Sequence, residues 1–233
     1  MDYRKHLLSL YDLLPFHEHP LWKAVLGLDL SIEQILRAEI QHYLRTKAGQ
    51  IIRLASVENA RSLSPKLWEA ILETYLEECT GEKSGPNHLD LIKRLLTIGG
   101  VSNEVLSKAV PTIGNAASIA LYKDISERGA GCHMLGTGAV EHYYSRLSPK
   151  IYKTYTEHYR MTPEQAETYR IHGPMDAEHA SRAFTVLEEA IRLHGWSTVE
   201  RSVRDAFVAT SLHYDGMLQA AIGGIRYWDG VIT

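Results

Sequence analysis

Helix-start signals recur along this chain from end to end, and they leave room for little except helices. Ser31 precedes Gln34 by three residues, the reciprocal pair that satisfies the orphan donors of a first helical turn. It opens a predicted helix over 31–55, SIEQILRAEIQHYLRTKAGQIIRLA. Ser64-Pro65 supplies an N-cap with proline at the first helical position and starts PKLWEAILETYLEEC over 65–79. Pro86 begins PNHLDLIKRLLTI, which Gly99-Gly100 stops. Apolar periodicity predicts helices from about Thr112 to Arg128 and from about His133 to Tyr159. Thr162-Pro163 with Gln165 caps a short helix, and Ser197 with Glu200 caps a long one over 197–222. No run alternates in the manner of a strand, and no Asn-Gly pair marks a hairpin. The expected fold class is all-α, a bundle of seven to eight helices. No linker-like shift in composition divides residues 1–233, so one domain is expected.

Composition removes several function classes. A net charge of −3 gives no electrostatic case for nucleic acid or for an anionic membrane surface. The two cysteines, Cys79 and Cys132, lack CxxC spacing and suggest neither a disulfide framework nor a structural zinc site. No apolar run approaches the roughly 18 residues of a membrane span, and the N-terminus lacks the apolar core of a signal peptide. A cytoplasmic protein is expected. Its 12 histidines are the one oddity.

The histidines matter most in IHGPMDAEHA, residues 171–180. His172, Asp176 and His179 are spaced four and three apart, so a helix puts them on one face. Ala183, Leu187 and Ala190 continue that stripe, which turns the trio toward the core. A buried aspartate needs compensation, and a metal ion is one source of it. The alternative is a capped turn whose histidines find backbone partners. Gly173 and Pro174 complicate the helix, since proline removes a donor and clashes with the preceding turn. A break is expected there, with Pro174 opening a new turn that carries Asp176 and His179.

Three further residues share this character. His88 lies on the apolar face of its helix with Leu91, Ile92, Leu95 and Leu96, where a satisfied core histidine is the ordinary reading. Glu78 aligns with Ile71 and Tyr75 and is better placed than Glu77 to turn inward. Glu141 follows Thr137 and Gly138, small residues that either leave space for oxygen or substrate or mark a close helix crossing. Glu39 and His42 are read as polar residues on a half-exposed helix, with pocket-lining as the alternative. Together Glu78, His88, Glu141, His172, Asp176 and His179 make three carboxylates and three imidazoles. A set rich in oxygen and free of thiolate suits iron or manganese better than zinc or copper.

On "EECTGEKSGPNH", "GAVEHYY" and "HGPMDAEH" the sequence resembles the haem-oxygenase-like diiron oxidases and oxygenases, relatives of the TenA and PqqC folds. The order of the motifs matches, and the similarity covers most of the chain. The first carboxylate falls on Glu77, Glu78 or Glu82. The resemblance implies a haem-oxygenase-like bundle without haem, in which those six residues hold two irons that activate O2, with Glu141 and Asp176 at the reacting centre. It implies a biosynthetic enzyme acting on a small amine-bearing substrate, foremost an amino acid, by carbon–carbon cleavage (to a nitrile or an alkene) or by N-oxygenation. Oxidative decarboxylation of an aliphatic acid is the runner-up. The family's CADD members consume one of their own tyrosines, and 20–31 here contains none, which counts against that activity. Tyr144, Ser145 and Tyr152 are the expected substrate-facing residues, helix-interface packing being the plainer role for tyrosines. The partners expected are the substrate and O2, and the chain is compatible with a homodimer.

Two other readings compete. A ferritin-like diiron bundle would use Glu39 and His42 but needs a second Glu-x2-His pair, which is absent. A metal-free TenA-like hydrolase, or a binding protein on the same fold, would rely on Cys132 beside His133, although sequence neighbours seldom form a catalytic pair.

Overall fold

The computed structural model describes residues 2–82 and 85–230. Among them are eleven α-helices and no strand: α1 (Tyr3–Ser9), α2 (Pro20–Leu26), α3 (Ile32–Arg61), α4 (Pro65–Tyr75), α5 (His88–Ile98), α6 (Asn103–Lys108), α7 (Ile113–Glu127), α8 (Ala130–Glu157), α9 (Glu167–Thr185), α10 (Leu187–His194) and α11 (Trp196–Ile222). The expected number was seven to eight. The surplus comes from α1, α2 and α6, each too short to show periodicity, and from a break at Val186 that separates α10 from α9.

The capping signals were read correctly at two starts, and a third helix starts two residues later than expected. Ser31 and Gln34 form both bonds of the capping box on α3. Ser64 caps α4 with Pro65 behind it, and Asn87, not Pro86, caps α5. Two signals were misread. The Thr162 hydroxyl accepts from the Gln165 N–H at 3.1 Å, yet this closes only a turn before α9. α11 starts at Trp196 behind Gly195, whose φ of 79° suits glycine. Glu200 then pairs with His6 instead of capping.

α8 and α9 pack against each other more extensively than any other pair of helices. A Cβ on Gly138 would fall 2.3 Å from the Ala183 Cβ, so Gly138 permits the close crossing and opens no space. α9 runs unbroken through Gly173 and Pro174, against the expected break. Pro174 lies on the exposed side, where water can take the Arg170 carbonyl that its missing N–H leaves. Gly173 is buried instead, with Pro149 of α8 3.1 Å from where a Cβ would stand.

α4 continues into a π-helical turn, Leu76–Thr80, closed by Gly81 at φ 74°. Such wide turns often mark functional positions. Here it turns consecutive glutamates toward α9. One apolar core is built around Phe16, Trp22, Leu95 and Phe207, and a second joins α3, α4, α8 and α9 through Val57, Leu67, Ile71 and Met134. No helix among the described residues is long and apolar enough to cross a membrane.

Candidate metal centre

The π-turn, α5, α8 and α9 carry the six ligand-type residues to one place. Glu78, Glu141, His172, Asp176 and His179 are buried, and His88 is half-buried. One Glu78 oxygen accepts from His88 Nδ1 at 3.0 Å. The other lies 3.5 Å from His172 Nε2 and 3.7 Å from His179 Nδ1. His179 Nδ1 is also 3.8 Å from Glu141. These separations are long for hydrogen bonds. Accordingly Glu78 Oε1, His172 Nε2, Asp176 Oδ2 and His179 Nδ1 are buried without a hydrogen-bond partner. Four such atoms in one cluster call for an explanation, and an ion is one of the recognised ones.

Two sets of donors have metal-ligand spacing, each with its atoms within 4.8 Å of one another: Glu78, His88 and His172, and Glu78, Asp176 and His179. Glu78 belongs to both. Glu141 stands beside the second set, held by Arg53 Nη2 at 3.3 Å. Of the other candidates for the first carboxylate, Glu77 bonds His179 Nε2 at 3.0 Å and Arg182 at 2.8 Å, and Glu82 is exposed.

Burial resists ionisation of Glu78, but His172 and His88 outweigh it and hold the carboxyl well below its usual range. Burial opposes charge on His172 and His179 too, yet neighbouring carboxylates push both up to about 9, Glu78 acting chiefly on the first and Glu141 on the second. Asp176 is driven well above the usual range by burial, with Glu141 and Glu78 adding to the effect of burial and His172 opposing it. Protons and Arg53 thus supply the positive charge that the carboxylates demand. His172 Nδ1 donates to the Thr168 carbonyl at 2.6 Å, which orients the ring with Nε2 toward Glu78 and would make Nε2 the ligand atom once its proton is displaced.

The family model described as iron-containing redox enzyme matches residues 44–195, a span that includes every one of these side chains. The chain belongs to the iron-containing redox enzyme family. No functionally curated protein matches it. A CADD-like protein of unknown function from Nostoc punctiforme superposes with a TM-score of 0.76 at 18% identity, over 96% of this chain and 97% of that one. A domain of unknown function with a haem-oxygenase-like fold from Shewanella denitrificans gives 0.73 at 16%, over 93% and 89%. A TenA homologue from Pseudomonas syringae pv. tomato gives 0.71 at 15%, over 94% and 93%. The fold is haem-oxygenase-like. In this member of the iron-containing redox enzyme family, the buried set of carboxylates and imidazoles has the donor chemistry of an iron site.

A cavity of about 90 Å³ adjoins the cluster, roomy enough for a small ligand or several waters. Tyr144 lines it; Ser145 and Tyr152 do not. The Ser145 hydroxyl donates to the His142 carbonyl, and Tyr152 packs against the main core. The reading of Glu39 and His42 as half-exposed residues is corrected. Glu39 is fully buried and accepts from Tyr155 at 2.6 Å, Tyr169 at 2.5 Å and His42 at 3.0 Å, while His42 lines the cavity. Cys132 does not pair with His133: burial raises its thiol pKa, and His133 bonds Ser56 at 2.6 Å. Arg45, Arg53 and His213 also line the cavity and were missed in the sequence. For the two arginines the signal was the polar stripe Glu39, His42, Arg45, Gly49, Arg53 and Ser56, spaced three and four apart on one helix.

Proposed function

We propose that the chain is a non-haem diiron oxidoreductase that uses O2 to oxidise a small amine-bearing substrate, an amino acid in the first place. The observation that carries this reading is Glu78, a buried carboxylate common to two donor sets, with partnerless atoms in both. One ion would be held by Glu78, His88 and His172, the other by Glu78, Asp176 and His179, with Glu141 adjacent. Two ferrous ions would supply the electrons for O2 activation. The remaining work belongs to the chain. Arg53 neutralises Glu78 and Glu141 at 3.5 and 3.3 Å and holds them on the cavity side. Thr168 fixes the His172 ring through its carbonyl. Trp22, Val140, Ala206 and Met217 line the cavity with apolar surface, which limits the water that reaches the reacting centre.

The test is metal analysis of protein loaded anaerobically with ferrous iron, followed by O2 uptake. Wild type should hold two irons per chain, His88→Ala one, and Glu78→Ala neither. A wild type without iron, or a Glu78→Ala variant with its full complement, rejects the diiron reading. Amino acids should accelerate O2 uptake by the loaded protein; acceleration confined to aliphatic acids would instead support oxidative decarboxylation.

A further inference from the structure

Among the described residues, Arg45 is the one arginine lining the cavity that the metal centre does not use. It sits two turns before Arg53 on the same face of α3, and both line the cavity. Their surroundings differ sharply. Arg53 bridges Glu78 and Glu141. Among the described residues Arg45 has no carboxylate in ion-pair range. Its Nε donates a long 3.4 Å bond to the Ser118 hydroxyl, and its guanidinium lies over the Tyr122 ring at 5.2 Å. Glu78 is engaged with Arg53 and His88, Glu141 with Arg53, and Glu39 with two tyrosines and His42, while Asp176 belongs to the metal cluster.

A half-buried guanidinium without a counter-ion is costly, because part of the hydration it lost is not replaced. Burial accordingly pushes the Arg45 pKa below the usual arginine value. The other cations facing the cavity, Arg53 and His172, cannot relieve it. Access is available as well. Arg45 also borders a smaller hollow of about 50 Å³, shared with Gly49, Gln50, Cys79 and His88. A side chain begun at Gly49 would meet nothing within 4 Å. The guanidinium therefore stands between that hollow and the main cavity, its planar fork matched to a carboxylate.

We propose that Arg45 forms an anion subsite that binds the carboxylate of a small organic acid, an amino acid or an aliphatic acid, with the remainder of the ligand lying along Trp22, Val140 and Met217 toward Glu78 and His88. This rests on reading the cavity as the oxidoreductase's substrate chamber, but not on how many irons it holds. It also explains why both substrate classes considered above fit one site, since each carries a carboxylate.

The experiment follows the arginine Nε–Hε resonances of the full chain, both metal-free and loaded with zinc as a diamagnetic substitute. The Arg45 signal is the one that disappears in Arg45→Lys. Octanoate and phenylalanine should be titrated beside octanamide and phenylalaninamide, which keep the shape and lose the negative charge. The Arg45 resonance should move with at least one acid and with neither amide. That acid should bind at least tenfold more tightly than its amide, and the ratio should fall toward one in Arg45→Gln. Which acid responds separates the two sources of the carboxylate. An Arg45 resonance unmoved by both acids in both metal states overturns the proposal, as does an acid preference retained in Arg45→Gln. Iron content, measured separately, keeps the outcomes distinct: iron without carboxylate selectivity rejects the subsite alone, and selectivity without iron rejects the diiron reading alone.

Discussion

At His133, burial leaves an imidazole with Nδ1 bonded to Ser56 and Nε2 without a hydrogen-bond partner. Burial, with Arg53 and Arg45 nearby, lowers its pKa to about 3. The folded-state pKa is below the unfolded value of roughly 6.5, so between those values the unfolded chain binds more protons. Stability is therefore present above the unfolded pKa and lost as pH falls toward 3. Linkage over pH 6 to 4 predicts a loss on the order of 2 kcal/mol from this residue. Denaturant titrations of wild type and His133→Gln should show the variant losing less over that interval; equal losses would contradict the assignment. Residue by residue, the legibility of the sequence followed the same physics. His172, Asp176 and His179 were legible because four-and-three spacing aligns them on any helix. Arg53 was not, because nothing local announces that a cation will settle between two glutamates from other helices. Ser145 and Tyr152 were misplaced because a turn or two along α8 decides between cavity and core.

The π-turn at Leu76–Thr80 and the proline in α9 are where helical elements depart from what their sequence suggested. Leu76 to Thr80 carries no breaker, so nothing in LEECT distinguishes a widened turn from ordinary helix; the turn is visible only once Glu77 and Glu78 are seen to reach α9. Pro174 errs in the opposite direction. Its local propensity argues for a break, but packing along α8 overrides it, and the exposed side of α9 tolerates the lost bond. Proline inside a helix costs about 3 kcal/mol relative to alanine, offset in part by roughly 0.4–1 kcal/mol because proline restricts the unfolded chain. Pro174→Ala should therefore stabilise the protein by about 2 kcal/mol, measured by denaturant titration. A variant no more stable than wild type would mean that α9 is not held as continuous helix at this position.

Across the whole molecule, the fold brings charge together that a chain without cations would keep apart. Glu78 comes from the π-turn, His88 from α5, Glu141 from α8, and His172, Asp176 and His179 from α9. The helical class and most helix starts were legible because caps and periodicity are local. The convergence of these four segments was expected only from the resemblance of the motifs, not from caps or periodicity, since it depends on how α4, α5, α8 and α9 pack. In the absence of metal, protons on His172 and His179 and the Arg53 guanidinium compensate the carboxylates, while four polar atoms stay unsatisfied. An ion bound only by the folded state satisfies them and stabilises by mass action, about 4 kcal/mol when free metal is a thousand times its dissociation constant. Anaerobic ferrous iron should thus raise the thermal midpoint of wild type and leave that of Glu78→Ala unchanged. Because metal joins separate segments, the gain should be local as well as global. Hydrogen exchange should slow most over 168–184 and 74–82, the stretches that supply donors to both sets. Exchange there that is the same with and without iron would show the cluster to be rigid on its own, its buried charges balanced by Arg53 and protons alone.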